Sequence, residues 1–192
     1  RNHVDGNNVD LISGQVIVEV PLVSIGDPAS DGLALIQSNI GATIRDNFDG
    51  GVATYSTATG GAAQVTIGGS AETFHLDSGS IVNFISDQGS GATLSGSLTS
   101  GFVYTRRDGS VYSFVAGPTG AFGQGPAVLS QITSPNGRVI DIHLALHQVC
   151  MMPLMDPCPT EYQLNFYQKS SINSSSGLQI KIDAGVTRAI NN

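Results

Sequence analysis

Apolar and polar residues alternate along most of this chain, in short stretches separated by Gly-containing turns. One phrase occurs five times: an apolar run, a small or polar residue followed by Gly, then alternating apolar positions. The copies centre on Gly14 (LISGQVIV), Gly79 (LDSGSIVNF), Gly109 (RDGSVYSF), Gly137 (PNGRVIDI) and Gly177 (SSGLQIKI). Alternation with period two marks strands that are apolar on one face. Asp-Gly, Asn-Gly or Ser-Gly supplies the positive φ that a tight turn requires. Each copy therefore predicts a β-hairpin, with Asp108 and Asn136 as turn residues beside their glycines. One hairpin cannot bury its own apolar face, so a chain of them must stack or extend into a sheet.

The predicted elements follow from these turns. Residues 1–10 read as an irregular arm, and 15–25 as a strand that Pro21 confines to an edge or a bulge. Residues 33–36 form a second apolar stretch. The spacing of Ile36, Ile40 and Ile44 also suits a short helix, but Gly41 weakens it and strand is preferred. Short strands at 52–55 and 64–67 lie among crowded glycines. Predicted hairpins pair 72–76 with 80–85, 102–105 with 110–115, 128–133 with 138–146, and 163–172 with 178–182. The expected organisation is an N-terminal strand region over 1–70, then irregular hairpin repeats over 71–192. A Cys-containing insertion falls at about 147–162. The expected fold is all-β: irregular antiparallel hairpin repeats in an extended or curling sheet.

Composition narrows the function classes. Of 192 residues only 12% are charged, the net charge is −7 and Lys occurs twice. Nucleic-acid binding needs a cationic stripe, which this chain lacks; Arg106-Arg107 reads as a solvated turn. No run of eighteen apolar residues is present to span a membrane as a helix. Low charge with abundant Gly, Ser and Thr is a common look for secreted and surface β proteins. The polar opening RNHVDGNN and the closing AGVTRAINN predict a piece of a longer chain, or a mature product.

The phrases YTRRDGSVYSF and ITSPNGRVIDIHL resemble the repeat units of the RHS/YD-repeat proteins. The opening VDLISGQVIVEVPLVSIGD followed by DGLAL is similar to the segment that often precedes those repeats. The resemblance runs from about Val9 to Ile182 and is thin between 40 and 70. It implies the N-terminal part of a hollow β-shell or surface fibre, extracellular or at the cell surface of a bacterium. The Tyr-Asp signature is nearest at Tyr104-Thr105-Arg106-Arg107-Asp108-Gly109 and is not complete in any copy. The family's C-terminal self-cleaving region has no counterpart, so no catalytic residue carries over.

Candidate chemistry is sparse. His143, His147, Cys150 and Cys158 are metal-ligand types, but their spacing matches no common finger. His143 falls on the polar face of an alternating run. A Cys150–Cys158 disulfide closing a surface loop is the preferred reading, contributing about 2–3 kcal/mol, with free thiols or a metal as alternatives. It would place the protein outside the cytosol. Asp77-Ser78-Gly79 is faintly like the surroundings of a nucleophilic serine but lies in a hairpin turn, with His75 serving the adjoining strand. Nothing marks a carboxylate pair for glycoside cleavage, and the absence of Trp weakens sugar binding. Asp46-Asn47-Phe48-Asp49-Gly50-Gly51 could suggest calcium, although an ordinary turn explains it. Asn173-Ser174-Ser175 is a formal glycosylation sequon.

The expectation is a non-enzymatic structural module without a cofactor, continuing into further repeats of the same polypeptide or into identical copies. A self-assembling fibre or adhesin subunit is the alternative, and a polysaccharide-acting β enzyme a third class.

Overall fold

A computed structural model describes residues 17–27, 31–40, 43–58, 60–152 and 157–182. The turn expected at Gly14 and the arm over 1–10 lie outside them. The fold is all-β and antiparallel, with one short 3-10 turn at Thr160–Tyr162 among the described residues.

The first three strands make a small sheet. They are β1 (Ile17–Ile25), β2 (Leu33–Ile40) and β3 (Thr43–Asp46), with β2 central. Pro21 sits in the edge strand β1, and the β1–β2 register shifts between Pro21 and Val23. That is where a residue without an N–H fits: at an edge, beside a bulge. Of the stretch that also suited a helix, Ile36 and Ile40 lie in β2 and Ile44 in β3, while Gly41 lies outside the described residues.

The main sheet begins with a run of hairpin neighbours: β4 (Gly50–Thr57), β5 (Gly60–Ile67), β6 (Ser70–Leu76), β7 (Asn83–Ser86), β8 (Thr93–Ser97), β9 (Gly101–Thr105) and β10 (Val111–Val115). A small ribbon follows, β11 (Thr119–Gly120) with β12 (Gly123–Gln124). Then β13 (Ala127–Thr133) closes the ring. One of its edges pairs Val111–Val115 of β10, and its other edge pairs Ala127 and Val128 with Val52 and Gly51 of β4. The expected curling sheet thus closes into an eight-stranded barrel. Ile67 of β5 faces Ser70 of β6, so the sheet is continuous across the boundary expected at residue 70.

Alternation fills the barrel. Phe74, Leu94, Phe102, Tyr104, Tyr112 and Phe114 are buried, against the smaller Ala63, Val65 and Ala127 of β5 and β13. Phe74 meets Tyr104 edge-on at 5.9 Å between ring centroids, and Tyr104 meets Tyr112 at 5.7 Å. An eight-stranded barrel is just wide enough for side chains to occupy, so this interior is a packed core.

While Gln131–Thr133 of β13 stay paired with β10, their other edge starts an extension of the sheet. Gln131–Thr133 pair with β14 (Val139–Cys150), which pairs along its length with β15 (Gln163–Ser174), and β16 (Gln179–Lys181) adds the edge. Leu33 and Leu35 of β2 share one buried cluster with Ile142, Ile172 and Ile180, so the small sheet covers this extension. Cys150 and Cys158 are joined by a disulfide across the end of the β14–β15 ribbon.

Three turns are built alike. The N–H groups of Arg106, Ser134 and Ser174 donate to the carbonyls of Ser110, Arg138 and Leu178, and each bond spans a turn that ends in a glycine. Those glycines, Gly109, Gly137 and Gly177, have φ of +87°, +85° and +86°. Asp108 and Asn136 accept the N–H groups of Ser110 and Arg138 at 2.8 and 3.1 Å. Gly79 (φ +84°) differs. It occupies the third position of the turn closed by Ser80 N–H to Asp77 O, the place where a type II turn needs positive φ.

Two glycines separate conformational cost from contact cost. A Cβ at Gly137 meets nothing within 4 Å, whereas one at Gly101 (φ +86°) lies 2.2 Å from the Phe114 carbonyl oxygen. Gly137→Val is expected to cost about 1–3 kcal/mol from the backbone alone. Gly101→Ala is expected to cost more, about 3 kcal/mol, because the β9–β10 ladder must shift as well. Urea midpoints of the two variants check both; equal losses would remove the distinction.

Candidate functional site

The richest polar cluster sits at one mouth of the barrel. Glu72 has the same parity in β6 as the inward residues Phe74 and Leu76, so its carboxylate enters the barrel end. There it accepts from Ser86 Oγ at 2.6 Å, from Tyr104 Oη at 2.8 Å and from Ser90 Oγ. The guanidinium of Arg106 lies 5.0 Å from the centroid of the Tyr112 ring. One carboxylate thus gathers groups from β6, β7, the β7–β8 loop and β9, with β10 held through the cation–π contact. A cleft of about 660 Å³ opens above them, lined by Glu72, Ser90, Ala92, Tyr104, Arg106, Arg107 and Asp108.

The surroundings shift both partners of the Glu72–Tyr104 bond. Partial burial works to raise Glu72, but the Ser86, Ser90 and Tyr104 hydroxyls and the Arg106 charge outweigh it, leaving the carboxyl below its ordinary range. Burial, together with the bond donated to Glu72, pushes the Tyr104 phenol up to about 12. Burial also raises Tyr112. Asp108 is lowered because it accepts the Ser110 N–H. Glu72 is therefore an ionised acceptor and Tyr104 a fixed donor. A general acid for glycoside cleavage needs the opposite, a carboxyl held protonated by a raised pKa. The hydroxyl bonds to Glu72 tie β7, the β7–β8 loop and β9 to β6.

The other candidates resolve individually. Each carboxylate of the Asp46–Asp49 turn divides its oxygens. Asp46 Oδ1 accepts Phe48 N–H at 2.8 Å and Asp49 Oδ2 accepts Asp46 N–H at 2.7 Å. The remaining oxygen of each receives Lys169 Nζ from β15. These carboxylates form an ion-paired clasp between the small sheet and the extension. Among the described residues no group of three His, Cys, Asp or Glu side chains is placed to hold a metal.

His143 and His147 lie on one strand about 13 Å apart at strand rise, beyond sharing an ion. His143 Nε2 lies 2.8 Å from Asn173 Nδ2, in hydrogen-bond contact, and His147 stacks on Phe166 at 5.7 Å. Both cysteines are in the disulfide. Asn173 lies within β15, paired on both sides by Asp141 and Gln179, a poor position for glycosylation. His75 Nδ1 contacts Asp87 at 2.6 Å on the surface, and Ser78 stays in its turn. Sequence pattern did not single out Glu72; its one signal is an acid at an inward position of an alternating strand.

The chain matches no protein-family model, and no curated protein matches it.

Two expectations follow from these bonds. Glu72→Gln should cost about 1–3 kcal/mol, with a non-additive interaction when combined with Tyr104→Phe. The wild type should hold the Glu72 contribution above pH 4.5 and lose it as pH falls through the lowered native value. Tyr104 acts with the reverse sign: its contribution is complete below pH 10 and is lost as pH rises towards 12. Thermal melts across pH, wild type against the two variants, read both limbs. Separately, Lys169→Met should cost about 2–3 kcal/mol, since it leaves two carboxylates without their cation. Asp46→Asn with Asp49→Asn should recover part of that loss in the same assay.

Proposed function

We propose that this chain is a non-enzymatic structural module of an RHS/YD-repeat-like protein, a segment of a β-shell or scaffold outside the cytosol. The observation that carries the reading is the reuse of one turn. Arg106–Ser110, Ser134–Arg138 and Ser174–Leu178 have the same bonding pattern and the same glycine position in three hairpins of the main sheet, β9–β10, β13–β14 and β15–β16. Such a unit extends a sheet without a new device at each step. The partners that follow are further repeats of the same polypeptide. The disulfide supports an oxidising compartment, and a bacterial source follows from the resemblance alone. No described helix is long and apolar enough to cross a membrane.

The occupancy of the Glu72 carboxylate favours this reading over a polysaccharide-acting enzyme. It accepts from three hydroxyl donors, and Asp108 caps its own turn.

The mass of the native polypeptide containing this segment, with peptide mapping of its ends, tests the proposal. The expected result is a chain of many hundreds of residues with more Asp-Gly and Asn-Gly hairpins downstream. A mature chain bounded near Arg1 and Asn192 would contradict it.

A further inference from the structure

A bulge aims Lys169 at the core side of its sheet. Residues opposite each other in β14 and β15 share a face: Ile142 faces Ile172 and Leu144 faces Lys169, which leaves Ser170 without a mate. That extra residue shifts the alternation of β15. Lys169 therefore joins the face of the buried Ile142 and Ile172, where a lysine is rarely found unless paired. Its ammonium ends between Asp46 and Asp49. The Lys169 and Asp46 side chains are 17% and 19% accessible, and that of Asp49 is 39%. A cavity of about 250 Å³ beside them has Phe48, Leu129 and Leu144 in its wall.

The turn that receives the lysine is held in advance. Asn47 Nδ2 donates to Ala34 O at 3.0 Å, and Asn47 Oδ1 accepts the Ile36 N–H at 2.8 Å, which anchors the turn to β2. Asp46 Oδ1 accepts the Phe48 N–H and Asp49 Oδ2 accepts the Asp46 N–H. Each carboxylate is thus fixed with its other oxygen on the amine. An amine and a carboxyl group held in contact, with a second carboxylate beside them, are the components of an amide condensation.

We propose that Lys169 and Asp46 condense to an isopeptide bond, with Asp49 carrying the proton. Lys169 first passes one proton to Asp46 Oδ2 within the ion pair, so that an amine faces a carboxylic acid. The Nζ lone pair attacks Asp46 Cγ and the C–N bond forms. Negative charge develops on Asp46 Oδ1, where the Phe48 N–H already donates. Asp49 Oδ1 takes a proton from the nitrogen and returns it to Asp46 Oδ2. The Cγ–Oδ2 bond then breaks and water leaves. One ammonium and one carboxylate become one amide and one water, and Asp49 ends as it began. Enclosure favours this outcome, because two shielded charges that have lost hydration are replaced by a neutral group. It also assigns the roles: Asp46 is the more enclosed acid, and Asp49 is open enough to exchange protons. The bond joins the turn after β3 to β15 across 123 positions of sequence. The cost given above for Lys169→Met is that of the unreacted pair.

The test is the mass of the 192-residue chain, kept folded at neutral pH and then denatured and reduced, with peptide mapping. The expected result is a chain lighter by one water, with a branched peptide that links Asp46 to Lys169. Mapping is essential, because an Asp-Gly step that closes to a cyclic imide loses the same mass. Lys169→Arg keeps the cation without a nucleophilic amine, and Asp46→Ala removes the acyl group, so both should keep full mass. Asp49→Ala should react about a hundredfold more slowly than wild type. A wild-type chain that keeps its full mass after prolonged incubation overturns the proposal, whether or not the variants fold. So does a branch at any other pair of residues, or an Asp49→Ala chain that closes at the wild-type rate.

Discussion

Everything in this molecule depends on β13 having two different edges in use. Along one it closes the barrel against β10. Along the other its first residues meet β4 and its last residues start β14. A strand in that position removes the free edges of the ring and launches the extension from the same seven residues. The register shift between Ser113 and Phe114 lets the β10 pairing remain continuous while β13 turns from one neighbour to the next. Without that seam, β4 and β10 would both be open edges, and Phe114, Val52 and Leu129 would lose the enclosure that buries them.

Closure also explains why the polar groups sit where they do. An eight-stranded barrel packed with aromatic rings has no water-filled lumen, so a carboxylate can enter only at the mouth. Glu72 does so by collecting hydroxyl donors and the neighbouring Arg106 charge. The Lys169 clasp does comparable work at the other junction. It joins the turn after β3 to β15, where the apolar contact between Leu33, Leu35 and the isoleucines of the extension needs a fixed position. Both polar clusters are organised around strand placement.

Much of the local structure is legible in the residues. Gly109, Gly137 and Gly177 announce their turns because positive φ is a local demand, and the alternating stretches beside them are strands. Pro21 points to an edge for an equally local reason. Closure is not legible, because the β10–β13 and β4–β13 pairings join segments whose alternation does not name their partners. The strand Thr93–Ser97 escapes a pattern reading, since Gly96 and its serines look like loop. The twelve-residue strands β14 and β15 are masked by His147, Gln148 and the cysteines, which read as an insertion. Glu72 does not stand out among fifteen acids, since parity has to be carried through a whole strand to place it inward.

Amide hydrogen exchange at the seam tests the closed barrel most directly. In a closed ring, the β10 and β13 amides that bond across the seam are enclosed and should exchange as slowly as those of the β5–β6 hairpin, at the rate of global unfolding. An open sheet would leave β10 as a terminal edge. Its outward amides would then exchange orders of magnitude faster than β5–β6, and that result would contradict a barrel closed by β13.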